Sequence, residues 1–212
     1  MIIYGSTMSP FVRKVLVLAA ELGVTLESKQ VGLGSKDPEF RAASPFGKIP
    51  ALRDGDFTLA DSSAIAHYLL TLVPGPALLP TAPQARATTI WFDEFADTIL
   101  TVAAGKMFFN RIVAPLFLKQ PGDQVAADKA EAEELPPVLA YLEQVLPASG
   151  YLVEDRLTLA DIAVASPFAN LSHAGYRVDA GVYPRVAAFA AAMLARPAFA
   201  DLISRETRAL NR

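Results

Sequence analysis

Over residues 73–83 the chain carries four prolines, Pro74, Pro76, Pro80 and Pro83, together with Gly75. Proline removes a backbone donor and clashes with the preceding turn, so no regular helix or central strand runs through such a segment. The break divides 212 residues into a shorter first part and a longer second part. Before it, strand-like and helix-like periods alternate. After it, strand signals almost vanish.

The first part opens with a short apolar strand over residues 1–4, ended by the turn residues Gly5, Ser6 and Thr7. From Pro10 the apolar positions Val12, Val15, Leu16, Ala19 and Leu22 recur at helical spacing, and Gly23 stops them. Residues 25–31 give a weaker strand, and 36–43 a short helix. Asp54-Gly55 sits between strands at 50–53 and 57–60, a strong hairpin signal. Asp61 or Ser62 then caps a helix whose stripe is Ala64, Ile65, Tyr68, Leu69 and Leu72. The order is βαβ, a short helix or loop, then ββα. The second part reads as all-α: a long helix over 86–117, a second over 123–146 with a kink or a break at Pro136-Pro137, a third from Thr158, a fourth over 185–195 and a short fifth after Pro197. The run 186–192 is rich in alanine, with no functional reading attached.

Composition narrows the chemistry. Cysteine is absent, which excludes disulfides, thiolate metal sites and cysteine nucleophiles. Nineteen Lys+Arg against 22 Asp+Glu leave a net charge of -3, with no basic excess for nucleic acid or an anionic membrane. His67 and His173 stand without a second histidine or a sequence-near carboxylate cluster, so no metal site is expected. A mean hydropathy of +0.31 raises a membrane question. The longest uncharged stretch, residues 62–85, is broken by the four prolines, and the other apolar runs are too short for ~30 Å of hydrocarbon. Arg13-Lys14 imitates a basic leader, but six apolar residues and no cleavage site follow. A soluble, cytoplasmic protein is expected.

Three features of the first part carry chemistry. Ser9-Pro10-Phe11 lies where the first strand hands over to the first helix, whose free N–H groups suit an anion. Gly47-Lys48-Ile49-Pro50-Ala51-Leu52 places proline at a strand start, where a cis bond leaves the preceding backbone open to a ligand. Asp61-Ser62-Ser63 opens another helix with a carboxylate and hydroxyls. Ser9 alone reads as a helix cap, Tyr4 as a core strand residue, and Thr158-Leu159-Ala160-Asp161 as a capping motif.

Taken together, SPFVRKV at 9–15, SPFGKIPAL at 44–52, DSSAI at 61–65 and TLADIAVA at 158–165 resemble the glutathione transferase superfamily over essentially the whole chain. The nearest group looks like the bacterial serine- or cysteine-type cytosolic members. The resemblance implies an α/β plus all-α protein: a thioredoxin-like glutathione-binding domain (βαβ-ββα) over 1–75, a linker over 76–84 and an all-helical domain over 85–212. It implies glutathione as co-substrate, no metal, a hydrophobic electrophile as second substrate, a role in detoxification and a homodimer. Ser9 matches the hydroxyl that donates to the glutathione sulfur, Ile49 the backbone partner of the cysteinyl unit, and Pro50 the cis-proline after it. Asp61 and Ser62 match the pair on the γ-glutamyl ammonium and carboxylate, and Lys36 a lysine on the glycyl carboxylate. Asp61 stands where the family often has Glu, and Ser44 where it often has Asn. Phe11, Phe108, Phe109 and Arg111 are expected to line the electrophile pocket, which should be apolar.

The implied activity is conjugation of glutathione to a small electrophile, or its use to reduce peroxides. The alternative is a non-catalytic binding or interaction protein on the same fold. A free thiol with a pKa near 8.5 is only ~3% thiolate at pH 7. Lowering that pKa by about two units takes roughly 2.7 kcal/mol of preferential thiolate stabilisation. One hydroxyl hydrogen bond (~1.5–3 kcal/mol) and a helix N-terminus (~0.3–2 kcal/mol) are a sufficient source.

Overall fold

The computed structural model describes residues 1–32, 34–73 and 78–211. Pro74–Ala77, which hold part of the expected linker and the expected boundary at residue 75, lie outside the described residues. The chain forms two compact units, Met1–Leu78 and Leu79–Arg212.

The first unit runs β1 (Ile2–Tyr4), α1 (Pro10–Glu21), β2 (Glu27–Lys29), α2 (Pro38–Ala43), β3 (Ala51–Asp54), β4 (Phe57–Ala60) and α3 (Ser62–Leu72). Its sheet has the order β2-β1-β3-β4, with β1 parallel to β2 and the other pairs antiparallel. Side chains alternate along a strand, so Tyr4 and its partner Ala51 share one face, while Ile3 and Leu52 share the other. The Tyr4 face packs with Val31 and, from α2, Phe40 and Ala43. Ile3 and Leu52 are fully buried as well, so both faces of the small sheet are covered.

Two elements are shorter than their sequence pattern suggested. The strand expected over 25–31 contracts to the three polar residues of β2, an edge strand with mostly exposed side chains. The helix expected from Lys36 begins at Pro38, because Asp37 accepts hydrogen bonds from the N–H groups of Glu39 and Phe40 at 2.9 and 3.2 Å. Proline at the first helical position loses no intrahelical bond. The hairpin loop is Gly55-Asp56, with Gly55 at φ 59°.

Among the described residues the second unit's regular structure is helical apart from one isolated bridge, Val153 to Arg156. One continuous helix runs over Pro83–Phe117, made of α4 (Pro83–Phe95), a π-helical stretch Ala96–Leu100, α5 (Thr101–Phe108) and a second π-helical stretch Phe109–Phe117. It starts three residues before the expected 86, again with proline in the first turn. Length and composition alone would let it cross a membrane, although it is not one uncharged run. Its Phe92, Phe95, Leu100, Ala104 and Met107 are buried, and α4 and α5 pack against the later helix Leu159–His173. One face of it thus joins the core of the second unit, while Ile99, Val102, Leu116 and Phe117 are exposed.

Next come α6 (Gln124–Lys129), a π-helical stretch Ala130–Glu134 and α7 (Leu135–Val145). Where a kink or a break was expected at Pro136-Pro137, the hydrogen-bond pattern changes: both prolines lack N–H and lie in the first turn of α7, and the i→i+5 pattern lies just before them. α8 (Leu159–His173) is buried over Leu159–Leu171 on every side, as the central helix of the unit must be. The carboxylate of Asp161 accepts from the N–H groups of Leu152 and Thr158 at 2.8 and 2.7 Å and from the Thr158 hydroxyl at 3.0 Å. The capping motif therefore also ties down the preceding loop. α9 (Pro184–Leu194) starts under Glu143 of α7, which accepts from the N–H groups of Arg185 and Val186, each at 2.9 Å through Oε2. His173 meets Glu206 of α10 (Pro197–Leu210) at 2.9 Å, with both side chains buried. Thirty-three residues separate them, so the sequence offered no sign of this carboxylate partner.

Candidate active site

The strand register brings the three chemical motifs of the first unit to one end of its sheet. Tyr4 is opposite Ala51, and Ala51 is opposite Ala60. The residues just past Tyr4, just before Ala51 and just past Ala60 are therefore neighbours: the turn leading to Ser9, the Ile49-Pro50 peptide, and Asp61-Ser62. Gly5 shows how close they come. A Cβ built on it would lie 3.3 Å from Ile49 Cβ and 2.5 Å from Val12 Cγ2, and its φ is +150°. Only glycine fits there.

Ser9 is the residue before α1, with extended backbone (φ -76°, ψ 127°) and no capping hydrogen bond from its side chain. Its N–H donates to Ser6 O at 3.0 Å and its carbonyl accepts from Arg13 N at 2.9 Å. No hydrogen bond engages its hydroxyl among the described residues, and the side chain is half-buried. A helix cap would have spent that oxygen on the first-turn N–H groups. Ser6 is occupied differently, since its hydroxyl accepts from Met8 N at 3.3 Å. Tyr4 is fully buried against Phe40, and its hydroxyl has no hydrogen-bond partner.

The Ile49-Pro50 bond is cis, as the sequence led us to expect. The loop before it is fixed from below. Buried Ser44 donates its hydroxyl to Lys48 O at 2.7 Å, and Gly47 N donates to Ser44 O at 2.8 Å. Asp61 caps α3, accepting from Ser63 N at 2.9 Å and Ala64 N at 3.0 Å through the same oxygen, Oδ1. Its second oxygen remains open among the described residues, and the side chain is exposed. Ser62 beside it is buried.

Residues 3–77 match the model of the glutathione S-transferase N-terminal domain, and residues 108–205 match that of the C-terminal domain. "Glutathione S-transferase 3" of Zea mays is 35% identical over 95% of this chain and 92% of its own length. A solved glutathione S-transferase-I bound with lactoylglutathione superposes with a TM-score of 0.85 at 28% identity, covering 96% of this chain and 98% of that one. A glutathione S-transferase from Rhodospirillum rubrum F11 gives 0.86 at 25% identity, over 95% and 90%. The chain belongs to the glutathione S-transferase family. It is an enzyme of that family, with the thioredoxin-like and all-helical architecture that its motifs implied.

Within this transferase the remaining expected residues fall as follows. Lys36 is exposed, and its ammonium has no partner among the described residues. The acids nearest in sequence are held elsewhere. Lys29 reaches Asp37 at 3.2 Å and Glu39 at 2.7 Å, and its pKa is raised chiefly by the hydrogen bond to Glu39. Phe11 on α1 is half-buried, Phe108 is buried and Phe109 exposed. Arg111 forks onto Asp128 at 2.8 Å and Glu131 at 2.6 Å, so two carboxylates of the second unit already engage its charge.

Two features escaped the sequence reading. Ser44 was noted only as a departure from the family pattern, whereas its hydroxyl anchors the Lys48 carbonyl. Arg13-Lys14, which had no role of its own within SPFVRKV, is buried, and Lys14 Nζ donates to Ser63 Oγ at 3.3 Å, joining α1 to α3. A charged pair directly beside an apolar helical stripe was the available signal.

Proposed function

We propose that the protein conjugates glutathione to a small hydrophobic electrophile, with the Ser9 hydroxyl donating a hydrogen bond to the glutathione sulfur. The observation that carries this reading is the uncommitted Ser9 hydroxyl at the N-terminal end of α1. In the reaction the thiol loses its proton, the thiolate attacks an electrophilic carbon, and a sulfur–carbon bond forms as a leaving group departs or an adjacent atom takes a proton. Ser9 acts as donor, neither covalent nucleophile nor general base. The hydroxyl and the helix end together supply the few kcal/mol that hold the thiolate at neutral pH.

The tripeptide is held along the end of the sheet. Ile49 pairs through its backbone with the cysteinyl unit, with Pro50 setting the turn of the chain. The open oxygen of Asp61 takes the γ-glutamyl ammonium, Ser62 its carboxylate, and Lys36 the glycyl carboxylate. The same thiolate also serves peroxide reduction, in which two glutathiones become a disulfide while the hydroperoxide becomes an alcohol and water. We assign the working form to a cytoplasmic homodimer with a detoxifying role. Large apolar side chains left exposed support the dimer, with Phe46 90% and Trp91 48% accessible. A bacterial origin rests on the serine-type motifs alone, while the relative that is 35% identical comes from Zea mays.

Calorimetric titration with glutathione, followed by turnover on halogenated aromatics, epoxides, isothiocyanates and hydroperoxides, tests the function. Saturable binding with turnover is expected. No binding at millimolar glutathione would leave a non-catalytic scaffold instead.

A further inference from the structure

The second unit contains a cleft that no part of the glutathione chemistry uses. It lies between the C-terminal half of α8 and α9 and has a volume of about 250 Å³. Phe168 and Leu171 form one wall and Ala187, Ala190 and Ala191 the other. The alanine-rich run of α9 thus leaves a space that larger side chains would have filled.

Ser172, Tyr176 and the exposed Arg177 make part of the rim polar. Arg177 lines the cleft, and its Nη1 donates to Ser172 O and Tyr176 O, each at 2.9 Å. These bonds satisfy a carbonyl at the end of α8 and fix the guanidinium plane. Capping the helix uses only one of its nitrogens. Nε and Nη2 keep three N–H donors with no acceptor among the described residues, in the fork geometry that matches a carboxylate. Tyr176, also on the rim, has its phenol pushed up chiefly by burial, with Tyr183, Glu131 and Asp179 adding to the rise; of these two acids, Glu131 is paired with Arg111 and Asp179 accepts from Gly181 N.

We infer that this cleft binds a small amphipathic monocarboxylate, with its hydrocarbon body between α8 and α9 and its carboxylate on the free edge of Arg177. Size sets the class: the cleft holds the equivalent of about eight waters, which matches a ligand of about ten heavy atoms such as octanoate. An apolar body with one negative charge is the chemistry that both walls and rim select. This inference does not depend on the glutathione site, which is assigned to residues of the first unit.

Calorimetric titration of the intact protein with octanoate tests it, with octanol as the uncharged control. Saturable octanoate binding is expected, at least tenfold tighter than octanol and unchanged by saturating glutathione. Arg177→Gln should weaken octanoate at least tenfold and leave octanol unaffected. Ala191→Phe places bulk into the cleft from an exposed position on α9, where folding tolerates it, and should abolish both. The proposal is overturned if octanoate does not bind, if octanol binds equally well, if glutathione displaces it, or if either variant binds octanoate like wild type.

Discussion

Asp61 holds a φ of 93°, a conformation that side-chain-bearing residues adopt at a cost of about 1–3 kcal/mol. One of its oxygens already caps α3, so capping accounts for half of the carboxylate and the charge is left for another task. Asn caps helices about as well as Asp. Asp61→Asn should therefore keep the melting temperature within a few degrees while the KM for glutathione rises about tenfold at nearly constant kcat, as a charge-assisted bond becomes a neutral one. Equal KM values would remove Asp61 from the ammonium site. Tyr4 gives the opposite case. Its buried hydroxyl has no hydrogen-bond partner, so Tyr4→Phe should leave turnover unchanged and raise stability by up to about 1 kcal/mol in urea unfolding. Lost activity in that variant would place the phenol at the thiol site. The sequence singled out Ser9, Ile49, Pro50 and Asp61 as candidates because each sits in a short motif at a strand or helix boundary. It did not disclose whether the Ser9 hydroxyl was spent on a cap, since that depends on a side-chain rotation and not on residue type.

Among the elements, α8 depends most on one side chain. Asp161→Ala would leave the buried N–H groups of Leu152 and Thr158 without acceptors and should cost about 2–4 kcal/mol, read from urea unfolding at pH 7. Burial is the largest influence on the Asp161 carboxyl, and it raises the pKa against the opposing hydrogen bonds. A raised folded-state pKa contributes stability that is complete below the unfolded value and is lost as pH rises through the folded one. The deficit of Asp161→Ala against wild type should thus be larger at pH 4.5 than at pH 7, and a deficit that grows with pH would contradict this. Element boundaries followed caps and prolines more than hydrophobic periods. Asp37 and Pro38 delayed α2, Pro83 brought α4 forward, and the polar edge strand β2 shrank to three residues. The long helix kept its expected end at Phe117, but its two π-helical stretches leave no mark in a 3.6-residue pattern.

At the scale of the molecule, the proline-rich break and the change of pattern across it were enough to read two units of different class. What periodicity could not supply was contact between distant residues: Glu143 over the start of α9, His173 on Glu206, and Arg111 drawn onto Asp128 and Glu131. The exposed apolar surface supports a dimer, and sedimentation equilibrium at micromolar concentration should give twice the chain mass. A single species of chain mass would contradict it. The central claim is that this transferase works by keeping bound glutathione as thiolate through Ser9. Its most direct test is the thiolate absorbance of the glutathione complex, titrated against pH in wild type and in Ser9→Ala. The wild-type midpoint should lie about two units below the free-thiol value near 8.5. Ser9→Ala should raise it by about one to two units, with turnover at neutral pH down ~10-fold or more and glutathione affinity little changed. Coincident midpoints would contradict the account and leave the thiol to be activated by the backbone at the start of α1.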